Sequence, residues 1–243
     1  ISANNLTYGT GSLADVTLLD APNHRNGFMD FTVTIPSGKL EISLPLAGTY
    51  NVSNALAAVS VSISLGIPGH HIQTGLERVV VPGRLERIDG GQPFNVLVDF
   101  AHTPAALESV LKTLRPVTEG RLIVVFGCGG DRDAWKRAPM GRIAAQNSDR
   151  VIITSDNPRS EDPEAIIAAV ASGIGRDCEY AVLVNRQDAI TDAVTSARSG
   201  DTVLLAGKGD ESYQVIGDEY ISFDDREVVR RILKGTYSTD GTK

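Results

Sequence analysis

From Phe94 onward the chain alternates short apolar runs with amphipathic segments, and this rhythm restricts its fold more than any other feature. The runs at 95–100, 121–126, 150–154, 180–184 and 202–206 are rich in Val, Ile and Leu and have strand length. Between and after them, the segments near 104–114, 134–147, 163–173, 187–198 and 225–233 are helical in spacing. Repeated βα units of this size predict an α/β domain with a mostly parallel sheet, covered on both faces by right-handed crossovers. Ligands of such sheets collect outside the carboxyl ends of the strands, so the loops at those ends are the places to look for chemistry.

Two of these loops stand out. Leu122 to Phe126 runs into Gly127, Cys128, Gly129 and Gly130, then Asp131, Arg132 and Asp133, with Lys136 and Arg137 close behind. The strand at Val151 to Thr154 ends in Asp156-Asn157-Pro158-Arg159, followed by Ser160-Glu161-Asp162-Pro163. Arg132, Arg137 and Arg159 beside Asp131, Asp133, Asp156 and Glu161 suit a zwitterion better than a simple anion. An amino acid offers a carboxylate to an arginine fork and an ammonium to a carboxylate. Plainer readings compete: a glycine cluster makes a tight turn, Asp-Asn-Pro is ordinary turn chemistry, and a compact charge run is often a solvated helix start. Turn formation does not require Arg159, however. In Asp99-Phe100-Ala101-His102-Thr103-Pro104, Thr103 is placed to cap a helix that Pro104 opens. Asp99 could there bind ribose hydroxyls and His102 could contact a nucleotide, although a lone His at a helix start is more often structural. Gly207-Lys208-Gly209-Asp210-Glu211 ends the last parallel strand with two glycines that permit close backbone approach and with opposite charges on Lys208 and Glu211. Neither G-x-x-x-x-G-K-[ST] nor G-x-G-x-x-G occurs in full, so a P-loop or dinucleotide fingerprint is not supported.

Residues 1–50 read as short strands at 16–19, 29–35 and 40–44, the last two joined as a hairpin by Pro36-Ser37-Gly38. Val52 to Leu65, rich in small residues, reads as a tightly packed helix closed by Gly66-Ile67-Pro68. The two prolines and three glycines of 79–93 mark a boundary, giving units at 1–81 and 94–235, a linker at 82–93 and a polar tail at 236–243. The segment 213–223 predicts an antiparallel hairpin at the edge of the parallel sheet. A net charge of −7 argues against general nucleic-acid binding. There is no apolar run of the roughly 20 residues that span a bilayer and no signal segment. Two cysteines are too few for a disulfide framework or a zinc site, which fits a reducing cytoplasm. Ile1, without a Met, looks like a cut start.

Taken in order, Pro82-Gly-Arg-Leu-Glu86, Val98-Asp-Phe-Ala-His-Thr-Pro104, Phe126-Gly-Cys-Gly-Gly-Asp-Arg-Asp133, Lys136-Arg137, Ser155-Asp-Asn-Pro-Arg159 and Gly207-Lys-Gly-x-Glu211 resemble the motifs of the Mur ligases, most of all the UDP-N-acetylmuramoyl-tripeptide synthetases of peptidoglycan synthesis. The resemblance runs from about Tyr8 to Glu227. It implies a Rossmann-like C-terminal domain preceded by the last part of a central ATPase domain whose P-loop, metal-binding residues and carbamylated lysine are not in this chain. The expectation is therefore a fragment, a monomer, unable to hydrolyse ATP by itself. Family chemistry implies that ATP and Mg2+ phosphorylate the peptide carboxylate of UDP-MurNAc-dipeptide and that the amine of an incoming amino acid attacks the acyl phosphate. Asn51 and Asn54 would lie near the adenine, with Arg84, Asp99 and His102 also at the nucleotide. Arg132, Asp156, Asn157, Arg159, Gly207 and Glu211 would hold the amino acid, with no catalytic or metal-ligating residue of this chain's own. The Asp-Asn-Pro-Arg form points to meso-diaminopimelate, whose second carboxylate Arg159 can grip. The chain departs from the family at Asp210, where His is usual, and at Phe100, where Tyr is common. The alternatives are a Mur-type ligase for lysine or ornithine and a non-catalytic module that binds a nucleotide or another ligand.

Overall fold

A computed structural model of the chain describes residues 5–11, 13–25, 28–46, 48–175 and 178–237. The chain divides into two compact units, Ile1–Val81 and Pro82–Lys243.

In the first unit, β1 (Tyr8–Gly9), β2 (Val16–Leu18), β3 (Asn23–Arg25), β4 (Phe28–Ile35) and β5 (Gly38–Leu44) form one sheet, followed by α1 (Tyr50–Ser64) and α2 (Gly69–Glu77). The expected hairpin is β4 with β5, in register from Met29 opposite Leu44 to Ile35 opposite Gly38. Alternation along these strands turns Val33, Ile42 and Leu44 inward against Leu56, Val59 and Ile72, which is the core of this unit. The two- and three-residue strands β1 and β3 are too short to carry a periodic signal. Helix α2 buries only Ile72, and so shows no apolar stripe that sequence reading could detect.

The second unit continues with β6 (Glu86–Arg87), β7 (Asn95–Asp99), α3 (Pro104–Leu114), β8 (Leu122–Phe126), α4 (Arg137–Asn147), β9 (Arg150–Ile153), α5 (Pro163–Ala171), β10 (Glu179–Val182), α6 (Arg186–Ser196), β11 (Thr202–Ala206), β12 (Tyr213–Ile216), β13 (Glu219–Ser222) and α7 (Asp225–Tyr237). Its main sheet runs β10-β9-β8-β11-β7-β6, parallel except for β6. Every residue of β8 and β11 is buried, which is why these strands read as unbroken apolar runs. Side chains of α3, α4 and α5 pack on one face through Leu107, Leu111, Met140, Ala144 and Ile166. On the opposite face α6 and α7 contribute Ile190, Val194, Val229 and Leu233. Thr103 caps α3 by accepting the N–H of Ala106, with Pro104 in the first turn, as the sequence predicts.

Three expectations change. The segment 82–93, read as a linker, supplies β6, which pairs antiparallel with β7, and it buries Ile88 and Gln92. Its glycines and prolines punctuate an edge strand rather than a free connection, because Ile88 enters the α6/α7 side of the core. The hairpin of β12 and β13 is a separate two-stranded sheet instead of an edge of the main one. It is tied to the backbone of Arg159, whose N–H donates to Val215 and whose carbonyl accepts from Gly217. Finally, α7 continues to Tyr237, into the expected tail, and the rest of that tail lies outside the described residues.

Candidate functional site

The sheet order sets the site. Strand β11 inserts between β7 and β8, so the chain moves outward from β8 through β9 to β10 and then returns to the middle. The loops after β7, β8, β9 and β11 converge at the carboxyl ends around that reversal. A cavity of about 290 Å³ lies there, lined by His102, Thr103, Gly127, Gly129, Arg132, Asp133, Lys136, Asp156, Arg159 and Gly207. Guanidinium and ammonium groups thus share one concavity with the carboxylates of Asp133 and Asp156. Lys136 is fixed by donating to the His102 carbonyl at 2.7 Å, and Asp133 caps its own turn by accepting from the Trp135 N–H.

The β8 and β9 loops are laced to each other. Gly130 N–H donates to the Asn157 carbonyl at 2.9 Å, and Arg159 Nη1 donates to the Gly130 carbonyl at 2.8 Å. Asp131 accepts from the Ser160 hydroxyl at 2.7 Å and the Ser160 N–H at 3.2 Å, while its own N–H donates to Glu161 at 2.7 Å. The Ser160 hydroxyl, the Ser160 N–H and the nearby Arg159 and Arg132 hold the Asp131 carboxyl below its ordinary range. Glu161 is likewise lowered, first by the Arg137 guanidinium at 2.8 Å and then by the Asp131 N–H. Asp131 and Arg159 both adopt left-handed backbone, φ 52° and 53°, which is costly for residues with a Cβ. These contacts hold them there.

Gly130 has no room to vary, because a Cβ there would overlap the Pro158 carbonyl oxygen. Gly130→Ala is expected to destabilise the chain by about 2 kcal/mol and to lower Tm by roughly 4–8 °C, read by thermal unfolding. An unchanged Tm would show that the two loops are not packed against each other in this way.

Behind the cavity is a buried polar network. Lys208 is 0% exposed, and its ammonium donates to Glu211 Oε2 at 3.1 Å and to Asn157 Oδ1 at 3.3 Å. Asn157 Nδ2 donates to the same Glu211 oxygen at 3.0 Å, and its Oδ1 also accepts the Val215 N–H at 3.0 Å. Gly207, with φ 112°, runs beside Asp156, such that a Cβ would stand 3.0 Å from Oδ2.

The expected site residues are therefore distributed unevenly. Arg132, Asp156, Arg159 and Gly207 share one cavity with His102. Asn157 is 4% exposed with its amide engaged at both ends. Glu211 stands in the same network, with its side chain 26% exposed. Asp99, expected at a ribose, is also turned inward: Oδ2 accepts from Leu85 N–H and Oδ1 from Ala101 N–H, each within 2.9 Å. Burial raises its pKa against those two N–H groups and Arg84, and its first task is to hold the loop. Arg84 is exposed, with its guanidinium 4.6 Å from the centroid of the Phe100 ring. His102 is exposed, its Nδ1 2.9 Å from the Phe100 carbonyl. Asn51 and Asn54 lie on the first turns of α1 in the other unit, where Asn54 Nδ2 donates to Asn51 Oδ1 at 3.0 Å. Cys128, buried beside Met140, has its thiol pushed up to about 11 by burial and is no nucleophile at neutral pH. Sequence reading did not single out Arg186 and Asp225, which form a fully buried ion pair; each stands at the first turn of a helix, where a charged residue is unremarkable.

Residues 83–209, which include all of these loops up to Gly209, match the model of the Mur ligase glutamate ligase domain, and residues 1–62 match the Mur ligase middle domain. The chain belongs to the Mur ligase family. It is 45% identical over 229 residues to the UDP-N-acetylmuramoyl-L-alanyl-D-glutamate–2,6-diaminopimelate ligase of Caldanaerobacter subterraneus, covering 94% of this chain and 47% of that protein. It is 49% identical over 208 residues to the ligase of the same name from Syntrophomonas wolfei, covering 84% and 42%. A solved structure of a ligase with that name superposes with a TM-score of 0.66 at 36% identity, covering 96% of this chain and 48% of the other. This Mur ligase chain thus spans about half the length of the curated relatives it matches. No helix among its described residues is long and apolar enough to cross a membrane.

Proposed function

We propose that this Mur ligase chain carries the acceptor site of an ATP-dependent ligase, a cytoplasmic monomer that joins meso-diaminopimelate to UDP-N-acetylmuramoyl-L-alanyl-D-glutamate in peptidoglycan precursor synthesis. The observation that carries the reading is the shared cavity of Arg132, Arg159 and Asp156. Two guanidinium groups match the two carboxylates of diaminopimelate, and a carboxylate matches an ammonium. The names of the relatives support the same acceptor. Arg159 selects diaminopimelate over lysine, because lysine would leave the guanidinium without its partner.

In this reading ATP activates the peptide carboxylate, and the residues of this chain orient the attacking amine. Arg84 and His102, both exposed, are proposed to contact a nucleotide; for Asn51 and Asn54, in the other unit, a place near an adenine is proposed separately. Asp99 is proposed to shape that loop, since its carboxylate already accepts two backbone N–H groups. ATP is proposed to act with Mg2+, the main phosphate and metal sites belonging to the upstream part of the family's central domain.

Calorimetric titration of the chain with meso-diaminopimelate, L-lysine and L-ornithine tests the proposal. Heat from diaminopimelate alone supports it; binding of lysine or ornithine in preference would assign a different acceptor.

A further inference from the structure

The guanidinium of Arg186, at the start of α6, lies beneath the candidate site, and neither it nor the Asp225 carboxylate has any exposed side-chain surface. Nε donates to Asp225 Oδ1 at 2.8 Å and Nη2 to Oδ2 at 2.6 Å, a two-pronged pair. The other contacts go to backbone: Nη2 to the Ala206 carbonyl at 3.3 Å, and Nη1 to the Ser155 carbonyl at 3.5 Å. Ala206 closes β11 and Ser155 follows β9, so these carbonyls immediately precede Gly207 and Asp156. Strands β9 and β11 do not pair with each other, because β8 lies between them. No ladder hydrogen bond therefore fixes the distance between their carboxyl ends. A buried ion pair is a poor source of net stability, since desolvation offsets most of its attraction and an apolar pair of similar volume often serves as well. What an apolar pair cannot do is hold two carbonyls at once.

We propose that Arg186, oriented by Asp225, is a positioning residue of the acceptor site: it bridges the ends of β9 and β11 across β8 and so sets Asp156 against Gly207 and Glu211. The proposal rests on the acceptor reading above for its consequence in binding, and on the geometry alone for its consequence in loop order. Its charge also faces the carboxylates of Asp156 and Glu211.

The test uses the full chain carrying Arg186→Met with Asp225→Leu, beside a control in which the Arg121–Asp201 pair, ahead of β8 and β11 at the other end of the sheet, is changed to Met and Leu. Two readouts are taken: amide hydrogen exchange over 155–159 and 207–211, and calorimetric affinity for meso-diaminopimelate. The expected result is exchange at least tenfold faster in those two loops and affinity at least tenfold weaker, neither of which occurs in a folded control. A folded double variant with unchanged exchange in both loops would overturn the proposal. So would a control that loosens the same loops equally. Absence of diaminopimelate binding by the wild-type chain would refute the acceptor reading, while the exchange measurement still decides the bridge. If the double variant does not fold, Arg186→Lys keeps the charge but loses the fork. The same loosening is expected there, and its absence overturns the proposal.

Discussion

Replacing Arg159 with alanine is expected to weaken binding of meso-diaminopimelate about 100-fold, with little effect on any residual binding of L-lysine. Truncating one side of a desolvated, hydrogen-bonded charge pair costs about 2–5 kcal/mol, much of it because the surviving charge is left without a partner. Lysine has no second carboxylate, so it has nothing to lose. Arg159→Lys keeps a cation but not the planar fork, and most of the loss should remain. Backbone geometry permits a further control. At φ 53° Arg159 occupies left-handed space, where a non-glycine residue carries about 1–3 kcal/mol of strain. Arg159→Gly relieves that strain while removing the same side chain, so it should bind as poorly as Arg159→Ala yet melt at a higher temperature. Calorimetry and thermal unfolding of the three variants separate recognition from stability. Wild-type affinity in Arg159→Ala would remove the arginine from the acceptor site.

The second large effect is expected at Lys208. Its ammonium is enclosed, held by Glu211 and Asn157 and standing 5.7 Å from the centroid of the Tyr213 ring. Lys208→Met keeps most of the volume and removes the charge. Taking one partner out of a buried ion pair costs about 3–5 kcal/mol, and the lower end applies because Glu211 retains some contact with solvent. Tm should then fall by roughly 6–12 °C. Adding Glu211→Gln removes the stranded charge, so the double variant should recover part of the loss, a coupling of about 1–2 kcal/mol in a double-mutant cycle. Strictly additive urea-unfolding energies would show that the two side chains do not act as a pair. The same variants should weaken amino-acid binding, because Asn157 Oδ1 loses the Lys208 ammonium, one of the two donors that fix it, and keeps only the Val215 N–H of the β12–β13 hairpin.

The βα rhythm from Phe94 onward determined the α/β class and the parallel sheet, because strands buried on both faces must be written as continuous apolar runs and their helices as amphipathic ones. Local chemistry was equally legible where a few neighbouring residues suffice, as in the Thr103–Pro104 cap. It also marked Arg159, whose charge no turn requires. Periodicity says which residues point inward but not which strand lies next to which. That β11 inserts between β7 and β8 follows from pairings between residues 107 and 80 positions apart, and it brings Gly207 beside Asp156, 51 positions away in the chain. The same limit applies to Asp99, read as a ribose contact because it is a polar residue at a strand end, and to Asn157, which the motif resemblance put at the amino acid. Only the tertiary structure shows their side chains satisfied from within by Lys208, Glu211, Leu85 and Ala101. Arg186 and Asp225 sit 39 residues apart and match no motif. Each is an ordinary charge at a helix start until the fold removes both from water, and in a low dielectric two such charges must find each other.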